Sequence, residues 1–394
     1  MRRRSALCAF LSCSLLLLSG CWDRTEINDV AFVVSSAVDL DEDGKVRITV
    51  MVPLPGQMGG ATGGGGGTGG GGGKSYYLDS EAGSTFRAAQ AKLQQRMSRR
   101  MFFGHRRTLI VGEDVAKAGI GDLFDSSPRN SENRMSTYLV TTKGKAYELL
   151  QAAPKFERFP SEVIRELAKS GSLMDINMKD VGVALNAPGS DPVMVLMDVK
   201  NSVKSEKQSK EIEVKGYAQF RGDKMIGTLE NEEAQGFSWL RNESIKTTVD
   251  LEYDKEKKNR IGLRMHEVHT RIKPAIRDDK LRFTINVQAK AVLLEDEKHL
   301  DLSQIKNVDK IELLLNDYMK KAMTRVIEKC KKNNVDSMQF GTYIWRSFPD
   351  QWKATYAKNW PQAMKQAEYD IYVKSTLIET GLIYENVTKG SSFK

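Results

Sequence analysis

VDKIELLLNDYMKKAMTRVIEKCKK, residues Val308–Lys332, decides how the second half of this chain folds. Ile311, Leu315, Tyr318, Ala322, Val326 and Lys329 recur three or four residues apart, with Leu314, Met323, Ile327 and Cys330 beside them. That period places one apolar stripe along a helix of about seven turns, and the stripe needs a surface to bury itself against. The preceding sequence supplies it. Extended segments are expected at about Ile245–Glu252, Arg260–Lys273 and Leu281–Leu294, with another at Asp370–Thr376. Several strands with one long helix packed on them read as α+β. Cys330 lies within the stripe and reads as a packing residue, not a nucleophile.

Upstream, EIEVKGYAQF and KMIGTLE form a hairpin turning at Arg221–Asp223, and Asn231–Leu240 reads as a short helix. The polar run VKNSVKSEKQSK, residues Val199–Lys210, marks a boundary between two halves. In the first half, DVAFVVSSAVDL (Asp29–Leu40) and KVRITVMV (Lys45–Val52) are β-rich. Thr108–Val111 and Tyr138–Thr141 read as short strands. Helices are expected from Ser84 to about Arg99, around Asp114–Lys117, and at Lys145–Gln151 and Ser161–Lys169. The fold class is therefore α+β and multidomain, with mixed and antiparallel sheets, packed helices and a long amphipathic helix in the C-terminal domain. Residues 1–20 read as a lipoprotein signal peptide, 21–205 as an N-terminal α/β region and 206–394 as the C-terminal α+β domain.

The amino terminus is distinctive. Arg2–Arg4 precede an apolar stretch from Ala6 to Leu18, too short for a membrane span. It ends in Leu18-Ser19-Gly20-Cys21. Small residues directly before a cysteine match the bacterial lipobox, in which the thiol receives a diacylglyceryl group and cleavage falls between Gly20 and Cys21. Sulfur suits this chemistry because thiolate is the strong side-chain nucleophile near neutral pH. Further N-acylation of Cys21 completes a firm anchor, since each buried methylene contributes about 0.8 kcal/mol.

The 394 residues are 40% hydrophobic and 28% charged, a composition suited to folded domains, and the net charge is +9. Losing Arg2, Arg3 and Arg4 with the signal leaves +6, a surplus with no concentrated basic stripe or aromatic platform for nucleic acid. A mild attraction to an anionic membrane face fits it better. No cofactor or metal site emerges. DLDEDG (Asp39–Gly44) imitates a calcium loop, but Val50 stands where the twelfth-position glutamate belongs, and an Asp-Gly hairpin turn explains it. TGGGGGKS imitates a phosphate loop, but its first position is Thr68. It closes a run with twelve glycines in residues 59–73, which reads as a disordered insertion. His266 and His269, three apart in a strand, are expected on opposite faces. No catalytic constellation appears. The stretch FGTYIWRSFPDQWKATYAKNW, residues 340–360, offers Trp345, Trp352 and Trp360 either as interface anchors or as core under the long helix.

Several segments together resemble the Ger(x)C family of spore germination lipoproteins, the C subunits of germinant receptors. They are Cys21-Trp22-Asp23 after the lipobox, VDLDEDGKVRITV, FFGHRRTLIVGEDVAKAGI, RNSENRMSTYLVTTKGKAYELL, KGYAQFRGDKMIGTLENEEAQGFSWL and VDSMQFGTYIWRSFPDQW. The insertion at 59–73 and Ser126–Pro128 depart from the family pattern. The resemblance implies three domains, so the first half is expected to divide into two subdomains. It also implies a non-enzymatic subunit on the outer face of the spore inner membrane, acting with integral membrane A and B subunits to trigger germination in response to nutrients. Cys21 is the one functional position it carries over. The rival expectation is an extracytoplasmic solute-binding lipoprotein with two similar α/β lobes.

Overall fold

The computed structural model describes residues 26–54, 75–204, 208–254, 259–278 and 280–379. The signal peptide, Gly20, Cys21 and the glycine-rich insertion at 59–73 lie outside the described residues. After a single 3-10 turn at Ile27–Asp29 come β1 (Val30–Phe32), β2 (Ser35–Leu40), β3 (Val46–Pro53) and β4 (Tyr76–Gly83). Next are α1 (Phe86–Gln94), β5 (Arg100–Phe102), β6 (Thr108–Val111), α2 (Glu113–Ala118), α3 (Gly121–Ser126) and β7 (Tyr138–Thr142). The chain continues through α4 (Ala146–Gln151), α5 (Pro160–Ala168), α6 (Met178–Asn186), β8 (Val193–Asn201), β9 (Lys210–Arg221), β10 (Lys224–Glu230) and α7 (Glu232–Leu240). Last come β11 (Thr248–Asp254), β12 (Asn259–Arg277), β13 (Lys280–Asp296), α8 (Ile305–Asn333), α9 (Phe340–Ser347), α10 (Trp360–Gln366) and β14 (Glu368–Glu379).

Eight strands form one sheet in the order β10-β9-β8-β7-β6-β2-β3-β4. Its centre, β2-β6-β7-β8, is parallel, and β6 is buried along its whole length, as expected where helices cover both faces. The flanks are antiparallel hairpins. The Asp41–Gly44 segment is indeed the β2–β3 turn: Gly44 has φ +75° and its N–H donates to the Asp41 carbonyl. The sheet crosses the expected boundary at 205–206. The polar run at 199–210 contains the turn of the β8–β9 hairpin, so β9 and β10 belong to the first sheet.

The helix expected from Ser84 to Arg99 is shorter, with Thr85 capping it through Ala88 N–H. It stops at Gln94, whose amide donates to the carbonyl of Arg99 and accepts from Met101 N–H, turning the chain into β5. β5 pairs in parallel with β1 as a small separate ribbon.

The second sheet, β11-β12-β13-β14, carries α8 on its inner face. The stripe buries Ile311, Leu315, Met319, Ala322, Val326 and Ile327, among others. Each larger apolar side chain contributes about 1.5–3 kcal/mol against exposure. The helix ends at Asn334, a left-handed cap whose N–H returns to the carbonyls of Cys330 and Lys331. A β-bulge between Met265 and Glu267 leaves His266 without a cross-strand partner. It shifts the alternation, so both His266 and His269 are exposed, contrary to the simple two-residue period.

Candidate functional site

The densest polar arrangement lies where the loop after α6 meets the segment between α8 and α9. Asp336 sits at its centre, 2% exposed. One carboxylate oxygen accepts Phe340 N–H at 2.9 Å. The other accepts Gly341 N–H at 2.7 Å and the Trp360 indole N–H at 2.9 Å. A side chain four residues before Phe340 thereby satisfies the first free amides of α9, which no Gln339 side chain caps. From the other half, Asp191 accepts Asp336 N–H at 2.8 Å and Gly222 N–H at 2.8 Å, while its own N–H donates to the Asp336 carbonyl.

The two halves also touch backbone to backbone. Gly189 has φ +58°, and a Cβ built there would lie 2.5 Å from Gly341 Cα and 2.6 Å from the Trp352 ring. Only glycine fits at either position. Thr342 hydroxyl donates to the Pro188 carbonyl beside this contact. Deeper in, the fully buried Gln219 of β9 donates to both Cys330 Sγ and Ser337 Oγ at 3.1 Å. Thus β9, α8 and the loop before β8 converge on one junction.

Burial sets the electrostatics. Desolvation pushes the Asp336 carboxyl up to about 7, and the neighbouring Asp191 charge adds to the rise, while the three donors oppose it. Asp191 is also raised by burial. The Cys330 thiol is pushed up to about 12, so it is an inert packing group, as its place in the stripe suggests. Beside the junction lies a cleft of about 130 Å³ between α6 and the end of α7, where Arg241 approaches the Ser337 carbonyl at 3.4 Å.

The three tryptophans divide. Trp352 and Trp360 are 7% and 6% exposed and pack on one another, ring centroids 5.4 Å apart. Of the two readings these side chains take the core one: Trp360 donates its indole N–H to Asp336 and Trp352 packs on it. Trp345 is 41% exposed, on the same short helix as the exposed Tyr343. Asp336 and Asp191 escape a reading of the sequence, since nothing local distinguishes them from surface carboxylates. Among the described residues no group of three His, Cys, Asp or Glu side chains is placed to hold a metal ion, and no helix is long and apolar enough to cross a membrane.

Known proteins share both halves of this architecture. Residues 23–199 match the family model described as the spore germination protein N-terminal domain. Residues 215–381 match the spore germination B3/GerAC-like C-terminal model. The chain is 31% identical to the putative spore germination protein YfkR of Bacillus subtilis (strain 168), over 95% of this chain and 96% of that one. It is 27% identical to spore germination protein KC of the same organism, over 95% and 97%. The crystal structure of the GerBC protein superposes with a TM-score of 0.56 at 17% identity, covering 87% of this chain and 96% of that one, which shows a shared fold.

Proposed function

This chain belongs to the Ger(x)C family of spore germination proteins, and from that premise we propose that it is the lipid-anchored, non-enzymatic C subunit of a nutrient germinant receptor. The germination role comes from the family. The finer reading is that the protein sits on the outer face of the spore inner membrane, tethered through Cys21, and works through contacts with integral membrane A and B subunits. One observation carries it: the Leu18-Ser19-Gly20-Cys21 lipobox stands two residues before the first family-matched position, residue 23. A diacylated cysteine so close to the folded body would hold that body at the membrane surface.

The interlocked junction supports action by contact. A buried Asp336–Asp191 arrangement joins both halves through backbone hydrogen bonds, which suits a part that passes force or position between neighbours. The solute-binding alternative requires two similar lobes. Here an eight-stranded mixed sheet stands beside a four-stranded one, with different strand order.

Metabolic labelling with an alkyne fatty acid tests the anchor. Wild-type protein is expected to carry label and sediment with spore membranes, and Cys21→Ala to lose both. An unlabelled wild type, or a Cys21→Ala form still held in the membrane, would defeat the anchor. Co-purification from solubilised spore membranes should recover two integral membrane subunits, identified by mass; their absence under conditions that preserve the complex counts against the assembly.

A further inference from the structure

Among the described residues nothing covers the outer face of the second sheet, opposite α8, and its side chains form a grid fixed by strand register. Arg271, Asn286 and Tyr372 stand in one row across β12, β13 and β14. His269, Gln288 and Lys374 form the next row, and Lys273, Thr284 and Asp370 the row on the other side. Rows repeat about every 6.8 Å along the strands, with strands about 4.8 Å apart. At the ends of the grid the charges pair internally: Arg282 with Glu368 and Asp370, and Lys290 and His269 with Glu267. In the middle, Arg271, Lys273 and Lys374 have no ion pair among the described residues.

This centre is concave. A trough of about 730 Å³ runs over Arg271, Lys273, Asn286 and Gln288, walled by Asn242 from the loop after α7. A second trough of about 260 Å³ adjoins it through His269 and Gln288 and reaches Lys374. Tyr372, 60% exposed, stands in register beside Asn286.

We propose that this trough binds an acidic oligosaccharide. The cations supply charge-assisted donors for carboxylates. Asn286 and Gln288 each offer both a donor and an acceptor, the pairing that ring hydroxyls need, while Asn242, whose Oδ1 accepts Thr270 N–H, adds a donor. Tyr372 offers an aromatic face for the sugar ring. Other occupants fit less well. A folded protein partner wants an apolar interface core, and Tyr372 is the one large apolar surface in the grid. A membrane surface wants apolar insertion and a face that is not a trough. Single-stranded nucleic acid wants several stacking aromatics.

Only this sheet face is involved, so the proposal stands or falls independently of the receptor reading. The full-length protein in detergent micelles is titrated calorimetrically with tetragalacturonate, and in parallel with neutral chitotetraose, a short poly-glutamate and phosphatidylglycerol vesicles. Saturable tetragalacturonate binding is expected, weakened about tenfold in each of Arg271→Ala and Lys273→Ala, as for loss of a charge-assisted hydrogen bond. Lys374→Ala, on a different strand, should weaken it similarly, and Tyr372→Ala several-fold, all with unchanged melting temperature. Chitotetraose, lacking carboxylates, should bind at least tenfold more weakly. The proposal is overturned if tetragalacturonate does not bind, if these variants bind it normally, or if chitotetraose binds equally well. Poly-glutamate binding as tightly would mean charge alone, and vesicle binding through the same residues would mean a lipid surface; either result also overturns it.

Discussion

Asp336 makes the stability of this protein depend on pH in a direction opposite to most carboxylates. Its folded-state value, about 7, lies above the ordinary value of 3.8, because the group is wholly buried. Between these two values the folded chain holds a proton that the unfolded chain has released. Unfolding therefore releases a proton, and stability falls as pH rises. The contribution is fully present below about pH 4 and is lost as pH climbs through 7. Linkage at about 1.4 kcal/mol per pH unit gives a loss of about 2.5 kcal/mol between pH 5 and pH 8. Asp336→Asn keeps the shape and removes the titration. Urea unfolding at pH 5, 6, 7 and 8, followed by tryptophan fluorescence, reads the junction directly through Trp352 and Trp360. Asn at 336 places an amide among three N–H donors, so that variant will be weaker at every pH. The decisive quantity is the difference between wild type and variant, which also cancels the parallel rise at Asp191. That difference should shrink by about 2.5 kcal/mol from pH 5 to pH 8. A difference constant across the range would show that Asp336 is ionised throughout, with its three donors outweighing desolvation.

Further expectations concern the packing. Gly189→Ala combines a left-handed backbone with a sub-contact approach to Gly341 and Trp352, so it should cost about 2–5 kcal/mol in denaturant unfolding, whereas Gly44→Ala, with φ +75° but open space, should cost about 1–2 kcal/mol. Arg106 is wholly buried, with Nε and Nη1 lacking acceptors and no ion pair among the described residues. Desolvation and the nearby Arg87 push its guanidinium down to about 10. Arg106→Met should therefore be neutral or stabilising by about 1–3 kcal/mol, and a clear loss would reveal an anion that compensates it. Cys330 should resist iodoacetamide at pH 8 in the native protein and react fully in urea, judged by mass of the peptide containing it; native labelling would contradict its burial. Trp345→Ala should change stability by no more than about 0.5 kcal/mol, against about 3–5 kcal/mol for Trp352→Ala, in the same melts.

Local signals carried much of the architecture. The period in Val308–Lys332 located α8, and the Asp-Gly turn and the Arg221–Asp223 hairpin emerged as read. What escaped was non-local. α6 had a readable start in Asn177 and Asp180, which form a reciprocal cap, but its apolar period is too short to mark a helix by itself. That β9 and β10 complete the first sheet depends on β8 reaching back across the polar run, a pairing that composition does not encode. At the junction, the aromatic stretch was visible as unusual, yet whether an indole faces solvent or a carboxylate depends on Asp336, twenty-four residues earlier in the chain. The sheet-face grid was likewise hidden until register aligned three strands.

The β8–β9 hairpin has a consequence for inheritance. The family models part between residues 199 and 215, yet two strands from beyond that seam finish the sheet that began before it. Recombination that exchanged the second segment between paralogues would graft foreign edge strands onto a native centre and replace Gly222, whose N–H is held by Asp191 on the other side of the seam. Chimeras cut after Glu230 should tolerate exchange of the downstream part better than those cut at the seam itself, so the heritable unit is displaced well past the apparent one.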